Sequence, residues 1–105
     1  EENILGNENA GVKVLMSGLD YERVVLSGGP TGIMQACLDV VVPYVHERKQ
    51  FGQIIGSFQS LQHRAAQMFA ELELTRSAVM EALSAVDEAR DQVPLLASIP
   101  AMLGP

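Results

Sequence analysis

An acid and a base, Glu22 and Arg23, stand inside the run GLDYERVVL at residues 18–26, where an apolar helix face would otherwise continue. With about 100° of rotation per residue, Leu15, Glu22 and Ile33 point within a few tens of degrees of one another, so the spacing predicts Glu22 on a buried stripe. A carboxylate there must be paired, raised in pKa or used, because burying an unpaired charge is expensive. Two chemistries follow. One is a structural ion pair with Arg23 or Arg48. The other is a general base beside a cleft, its carboxylate desolvated so that it can abstract a proton. The residues by themselves leave both open.

The other groups able to do chemistry point nowhere in particular. His46 and His63 lie apart in sequence with no Cys or acidic partners at ligand spacing, so a metal site is not expected. Cys37 falls with Met34 and Leu38 on an apolar stripe and reads as a small core residue. The five methionines read as packing, and no Ser-His-Asp arrangement is present.

The elements that must position these groups are helical. EENILGNENAG reads as a loop, opening abruptly as a cut piece would, because its asparagines and glycines favour turns. Apolar positions then follow helical spacing from Val12 through Leu15, Met16 and Leu19, and again through Ile33, Met34, Leu38 and Val41. This predicts a first helix over 12–48, kinked or broken near 27–30, where SGGP brings two glycines and a proline. Pro43 adds a possible second bend. KQFGQIIGS is the connection, with Ser57 as the expected N-cap of the second helix. Phe58, Leu61, Ala65, Met68, Leu72, Val79, Leu83 and Val86 recur at steps of three, four or seven and predict that helix over 58–90. A third helix over 93–105 starts at LLAS and fails at IPAMLGP. No alternating strand pattern interrupts the chain, so the class is all-α: an antiparallel helical hairpin that wants further helices packed against it.

Composition agrees. The 105 residues suffice for one small domain, yet 48% are hydrophobic, the mean hydropathy is +0.15, and no Trp and only five aromatic residues are present. Such a chain carries apolar faces that something else covers. A net charge of −6 with seven Lys and Arg excludes a nucleic-acid footprint. One cysteine forms no internal disulfide, which suits a reducing compartment. No apolar run reads as long enough to span a bilayer, so no membrane association is expected.

The stretch NILGNENAGVKVLMSGLDYERVVLSGGPTGIMQACLDVVVPYVHERKQFGQIIGSFQSLQ resembles the acyl-CoA dehydrogenase family at the start of its C-terminal helical domain, over about the first 90 residues. The resemblance rests on a combination: a Gly-Asn-rich opening loop, DYER in the first helix, then ERKQFG with a Gln shortly into the next helix. It implies that the hairpin is part of a C-terminal four-helix bundle, and that the whole protein dehydrogenates acyl-CoA thioesters at the α,β bond using FAD. A glutamate removes the α-proton as the β-hydride passes to the flavin, and an electron-transfer flavoprotein takes the electrons onward. The family assembles as homotetramers in the bacterial cytoplasm or the mitochondrial matrix.

In the isovaleryl-CoA and long-chain branches the glutamate lies in the ER matched here by Glu22 and Arg23, and MSGLDYERVVL is closer to the isovaleryl type. The resemblance therefore implies Glu22 as the base and a short branched acyl-CoA as substrate. It also implies that Asp20, Tyr21, Glu22 and Arg23 line the acyl-CoA site, with Arg23 close to the base, and that Arg48, Phe51 and Gln59 hold FAD of the neighbouring subunit. A planar guanidinium suits a pyrophosphate, an aromatic ring can pack on the dinucleotide, and a Gln near a helix start can donate to its polar edges. Without the resemblance these three are a helix-end arginine, a loop anchor and a first-turn polar residue.

The tail DQVPLLASIPAMLGP does not continue as the family's next long helix, and the match from Phe58 to Ala89 is looser and leans toward other branches. The expectation is thus a segment of a dehydrogenase, inactive in isolation. A non-catalytic helical assembly module, with Glu22 and Arg23 as a structural ion pair, is the alternative.

Overall fold

A computed structural model describes residues 3–103 except Ala89, and only the backbone course at Arg90, Ala101, Met102 and Leu103. Helix α1 spans Gly11–Glu47. Two-residue strands β1, Lys49–Gln50, and β2, Gln53–Ile54, pair antiparallel with Gln50 opposite Gln53. A 3₁₀ turn over Ile55–Ser57 leads into α2, Gln59–Glu88. A second 3₁₀ turn, Arg90–Gln92, precedes the short helices α3, Val93–Leu96, and α4, Ser98–Leu103.

Helix α1 is not broken at SGGP, contrary to the expectation from Gly28, Gly29 and Pro30. Hydroxyls beside the proline serve the backbone: Ser27 Oγ donates to the Val24 carbonyl at 2.6 Å and Thr31 Oγ1 to the Ser27 carbonyl at 3.0 Å. The carbonyl that Pro30 leaves without a donor belongs to Leu26, whose side of the helix is exposed, so it is not sealed away from solvent. One 18-residue window of α1 has a mean hydropathy of 1.3, enough by length and composition to cross a bilayer, with 17% of it buried. That corrects the reading of the sequence, where glycines and hydroxyls dilute the run and hide its average. The core helix of a soluble protein passes the same test.

The two long helices run antiparallel, their contacts stepping along both chains in opposite directions. Val45 meets Gly56 near the connection, Arg76 donates to the Gln35 side chain midway, and Val24 packs with Ala82 and Ala85 at the far end. The seam is built from Val24, Leu38, Leu72, Val79, Ala82 and Ala85, with Thr75 buried among them and its hydroxyl donating to the Glu71 carbonyl at 2.8 Å. The tail folds back over the open end: Val93 and Ala97 join Val24, Ala82 and Ala85 in one cluster, with Val86 and Leu96 packed against it. The last two residues of the expected third helix lie outside the described residues.

Three readings of single residues change. Cys37 is exposed, one position and about 100° of rotation away from the buried Leu38. Ser57 does not cap α2; its hydroxyl donates to the Ile54 carbonyl at 2.7 Å and closes the 3₁₀ turn, while the Phe58 carbonyl receives the first helical amides. The hairpin of β1 and β2 was not legible as strand, being two residues long on each side.

Gly56 fixes how closely the connection approaches α1. A Cβ there would sit 2.8 Å from the Val45 carbonyl oxygen and 3.2 Å from its carbon, backbone atoms that cannot rotate away. Gly56→Ala is therefore expected to destabilise the chain by about 1–3 kcal/mol, the usual range for overpacking. Urea unfolding followed by helix content measures it.

Candidate functional site

The DYER turn lies on α1 with its four side chains pointing in different directions. Asp20 and Tyr21 are half-buried, Glu22 and Arg23 exposed. Asp20 and Tyr21 lean toward the tail, where with Ser17, Val93 and Pro94 they line a cavity of about 270 Å³. Arg23 pairs with Asp20, Nη1 to Oδ1 at 3.9 Å, one helical turn back. Glu22 takes part in no ion pair among the described residues.

The stripe of Leu15, Glu22 and Ile33 is not buried: Leu15 is 60% and Ile33 67% exposed. The positions that face α2 are Val24 and Leu38, which lie roughly 160–200° around the helix from Glu22. The spacing identified a shared face correctly and assigned it the wrong partner, because α1 is apolar on more than one side. The pairing argued for a buried Glu22 falls with it. Arg23 is engaged by Asp20, and Arg48 stands 26 positions along one helix, about 40 Å away at the helical rise.

Arg48, Phe51 and Gln59 gather at the other end of the hairpin. Arg48 ends α1, its backbone N–H donating to the Tyr44 carbonyl at 2.9 Å and its own carbonyl accepting from the Ile55 amide at 2.8 Å. The backbone is pinned on both sides while the guanidinium is exposed and, among the described residues, unpaired. Phe51 and Gly52 are the two central residues of the β-turn, with φ of 53° and 81°, the positive pair that a two-residue hairpin of the primed type demands. Glycine adopts this freely; a phenylalanine does not. Yet Phe51 is 90% exposed, and its only aromatic neighbour is Phe58, edge-on at 6.1 Å between ring centroids. Gln59 opens α2 and is exposed.

A large aromatic held in an unfavourable conformation without burial has no packing reason within this chain. Beside it stand a free guanidinium and the amide-rich start of a helix. This donor set fits a dinucleotide: the guanidinium matches a pyrophosphate, the ring offers a flat apolar face, and Gln59 has both donor and acceptor atoms. The two clusters cannot meet at a single small-molecule centre in one chain, because about 40 Å of unbroken helix separates them.

Reading the sequence missed three residues at the DYER end. Ser17 stands one turn before Asp20 and Tyr21 and was recoverable from helical spacing. Val93 and Pro94 were not, since only the folded tail brings them to this turn.

The family model for the acyl-CoA dehydrogenase C-terminal domain matches residues 9–102. A potato protein named 2-methylacyl-CoA dehydrogenase, mitochondrial, is 59% identical over 78 residues, covering 74% of this chain and 19% of its own length. A rice isovaleryl-CoA dehydrogenase, mitochondrial, gives the same identity and coverage. Among solved structures, that of a glutaryl-coenzyme A dehydrogenase in complex with glutaryl-CoA superposes with a TM-score of 0.77 at 34% identity, covering 98% of this chain and 28% of the other. The chain thus spans about a fifth of the length of the curated relatives it matches.

If Phe51 is held at positive φ for what it contacts outside the chain, Phe51→Asn relieves the turn without loss of a buried side chain. The expected result is unchanged or higher stability, by up to about 1 kcal/mol. Thermal unfolding of the two forms side by side checks it.

Proposed function

The chain belongs to the acyl-CoA dehydrogenase family, and from that premise we propose that it is the portion of an FAD-dependent dehydrogenase that contributes to two active sites at once. In this reading Glu22 is the proton-abstracting base of one site, and Arg48, Phe51 and Gln59 hold the flavin dinucleotide of a neighbouring subunit. The observation that carries the proposal is the separation of the two clusters by a single rigid helix. A chain whose base and cofactor-holding residues stand about 40 Å apart serves one centre with each.

The substrate proposed is a short branched acyl-CoA of the isovaleryl kind. Relatives at 59% identity are named for isovaleryl-CoA and 2-methylacyl-CoA, whereas the glutaryl-CoA enzyme stands at 34%. Asp20, Tyr21 and Arg23 then line the acyl-CoA site. Asp20 holds the Arg23 guanidinium from one turn away, which keeps it on the side of the helix next to Glu22 rather than swinging free.

A Glu22 carboxylate oxygen accepts the α-proton of the thioester. Its strength as a base depends on what surrounds it: Leu15 and Ile33 share its face, so any element that covers this face removes water from the carboxylate and raises its basicity. FAD, when bound, supplies the acceptor for the hydride leaving the β-carbon, so that the product carries a carbon–carbon double bond. Loss of one proton and one hydride accounts for the two electrons. An electron-transfer flavoprotein as onward acceptor, a homotetramer, and a mitochondrial-matrix or bacterial cytoplasmic setting complete the proposal, supported by the mitochondrial relatives.

The test places this segment in a complete isovaleryl-type dehydrogenase in place of its counterpart. Isovaleryl-CoA added without oxygen is expected to bleach the flavin. In the Glu22→Gln form substrate should bind, and bleaching should slow by on the order of 10²–10⁴-fold, the usual contribution of a general base. Equal bleaching in both forms would remove Glu22 from the chemistry. Arg48→Ala should leave the chain folded and weaken FAD retention on gel filtration.

A further inference from the structure

The accessible surface of the chain is 8084 Å². A compact protein of 11.3 kDa exposes roughly 5,700 Å², so the excess is on the order of 2,300 Å². Much of it is apolar and lies on the side of α1 turned away from α2: Leu15, Leu26, Ile33 and Val40 are all at least 60% exposed. Val24–Leu38 contains no charged residue. A helix that is apolar around its whole circumference belongs in the middle of an assembly.

The glycines of α1 point the same way. Gly28, Gly29 and Gly32 lie in mid-helix, where each costs about 0.5–1 kcal/mol relative to Ala. A Cβ at any of them would meet nothing within 4 Å, so no contact inside the chain requires them. Close approach of another backbone would.

We propose that the occupant of this face is a second copy of the chain, with α1 packed on α1 about a two-fold axis to give a four-helix bundle of two hairpins. Two copies each burying the excess would form an interface of roughly 4,600 Å², within the range of obligate dimers. An isologous contact between identical helices is the commonest way in which a single chain covers its own apolar face. Lipid fits this surface less well, since Glu22 lies on the exposed stripe itself and Asp39 interrupts the helix further on. The pairing goes beyond the role proposed above and does not rest on it, because it concerns the 105-residue chain by itself.

Sedimentation equilibrium of the 105-residue chain at micromolar concentration tests the proposal. The expected result is a species of twice the 11.3 kDa chain mass. Ile33→Lys and Val40→Lys alter side chains that are already exposed, so helix content should hold while dissociation strengthens by at least tenfold. Ser77→Lys, on the exposed side of α2, should leave the dimer intact. A monomer at all concentrations, association indifferent to Ile33→Lys, or open-ended aggregation in place of a dimer would each overturn it. So would a monomer that floats with phosphatidylcholine vesicles, which would assign the face to lipid.

Discussion

One uninterrupted helix of 37 residues sets the distances on which the rest depends. Its backbone ladder passes two prolines without ending, with Ser27 and Thr31 bonding to carbonyls around the first. Because the helix is continuous, the DYER turn and the hairpin tip are held at opposite ends of a rod instead of folding toward one another. A break at SGGP would have allowed the two clusters to approach and share one centre. The proposed division of labour between two active sites therefore follows from the survival of α1 through Pro30.

The second helix holds that rod in register. Small residues on α2, Ala82 and Ala85, admit Val24 closely, and the short connection with Gly56 against Val45 leaves little freedom to slide. Midway, Arg76 reaches Gln35 across the seam while also bonding to Glu73 at 2.7 Å, and Gln35 donates to Asp39 at 2.8 Å. A polar tie in an apolar seam favours one alignment over its neighbours, since any shift leaves its members unpartnered. The tail then seals the far end on Val24, two residues from Glu22. What stays uncovered is the face carrying Glu22, so the basicity of that carboxylate is a property of the assembly rather than of the hairpin.

Much of this was legible in the residues. Helical spacing gave the two long helices, and the Gly pairs around Phe51 located the connection. DYER and ERKQFG pointed to both clusters. The errors have physical causes. A helix apolar on several sides has more than one candidate inner face, so spacing alone could group Leu15, Glu22 and Ile33 without saying which way they point. Arg23 was matched to its sequence neighbour, whereas side chains meet at three- or four-residue steps, which made Asp20 its partner. The turn at Phe51 was hidden because its first central position usually carries Asn, Asp or Gly, and the contact of Val93 and Pro94 with the DYER turn exists only after the tail has folded back.

Complementation between two defective forms of the complete enzyme carrying this segment tests the central claim most directly. One form carries Glu22→Gln and the other Arg48→Ala; the two are dissociated, mixed and reassembled at limiting FAD. If each site takes its base from one chain and its cofactor contacts from the next, the mixture regains activity well above either parent, because some sites combine an intact Glu22 with an intact Arg48. A mixed assembly no more active than the average of its parents would place both groups in the service of the same subunit and contradict the account.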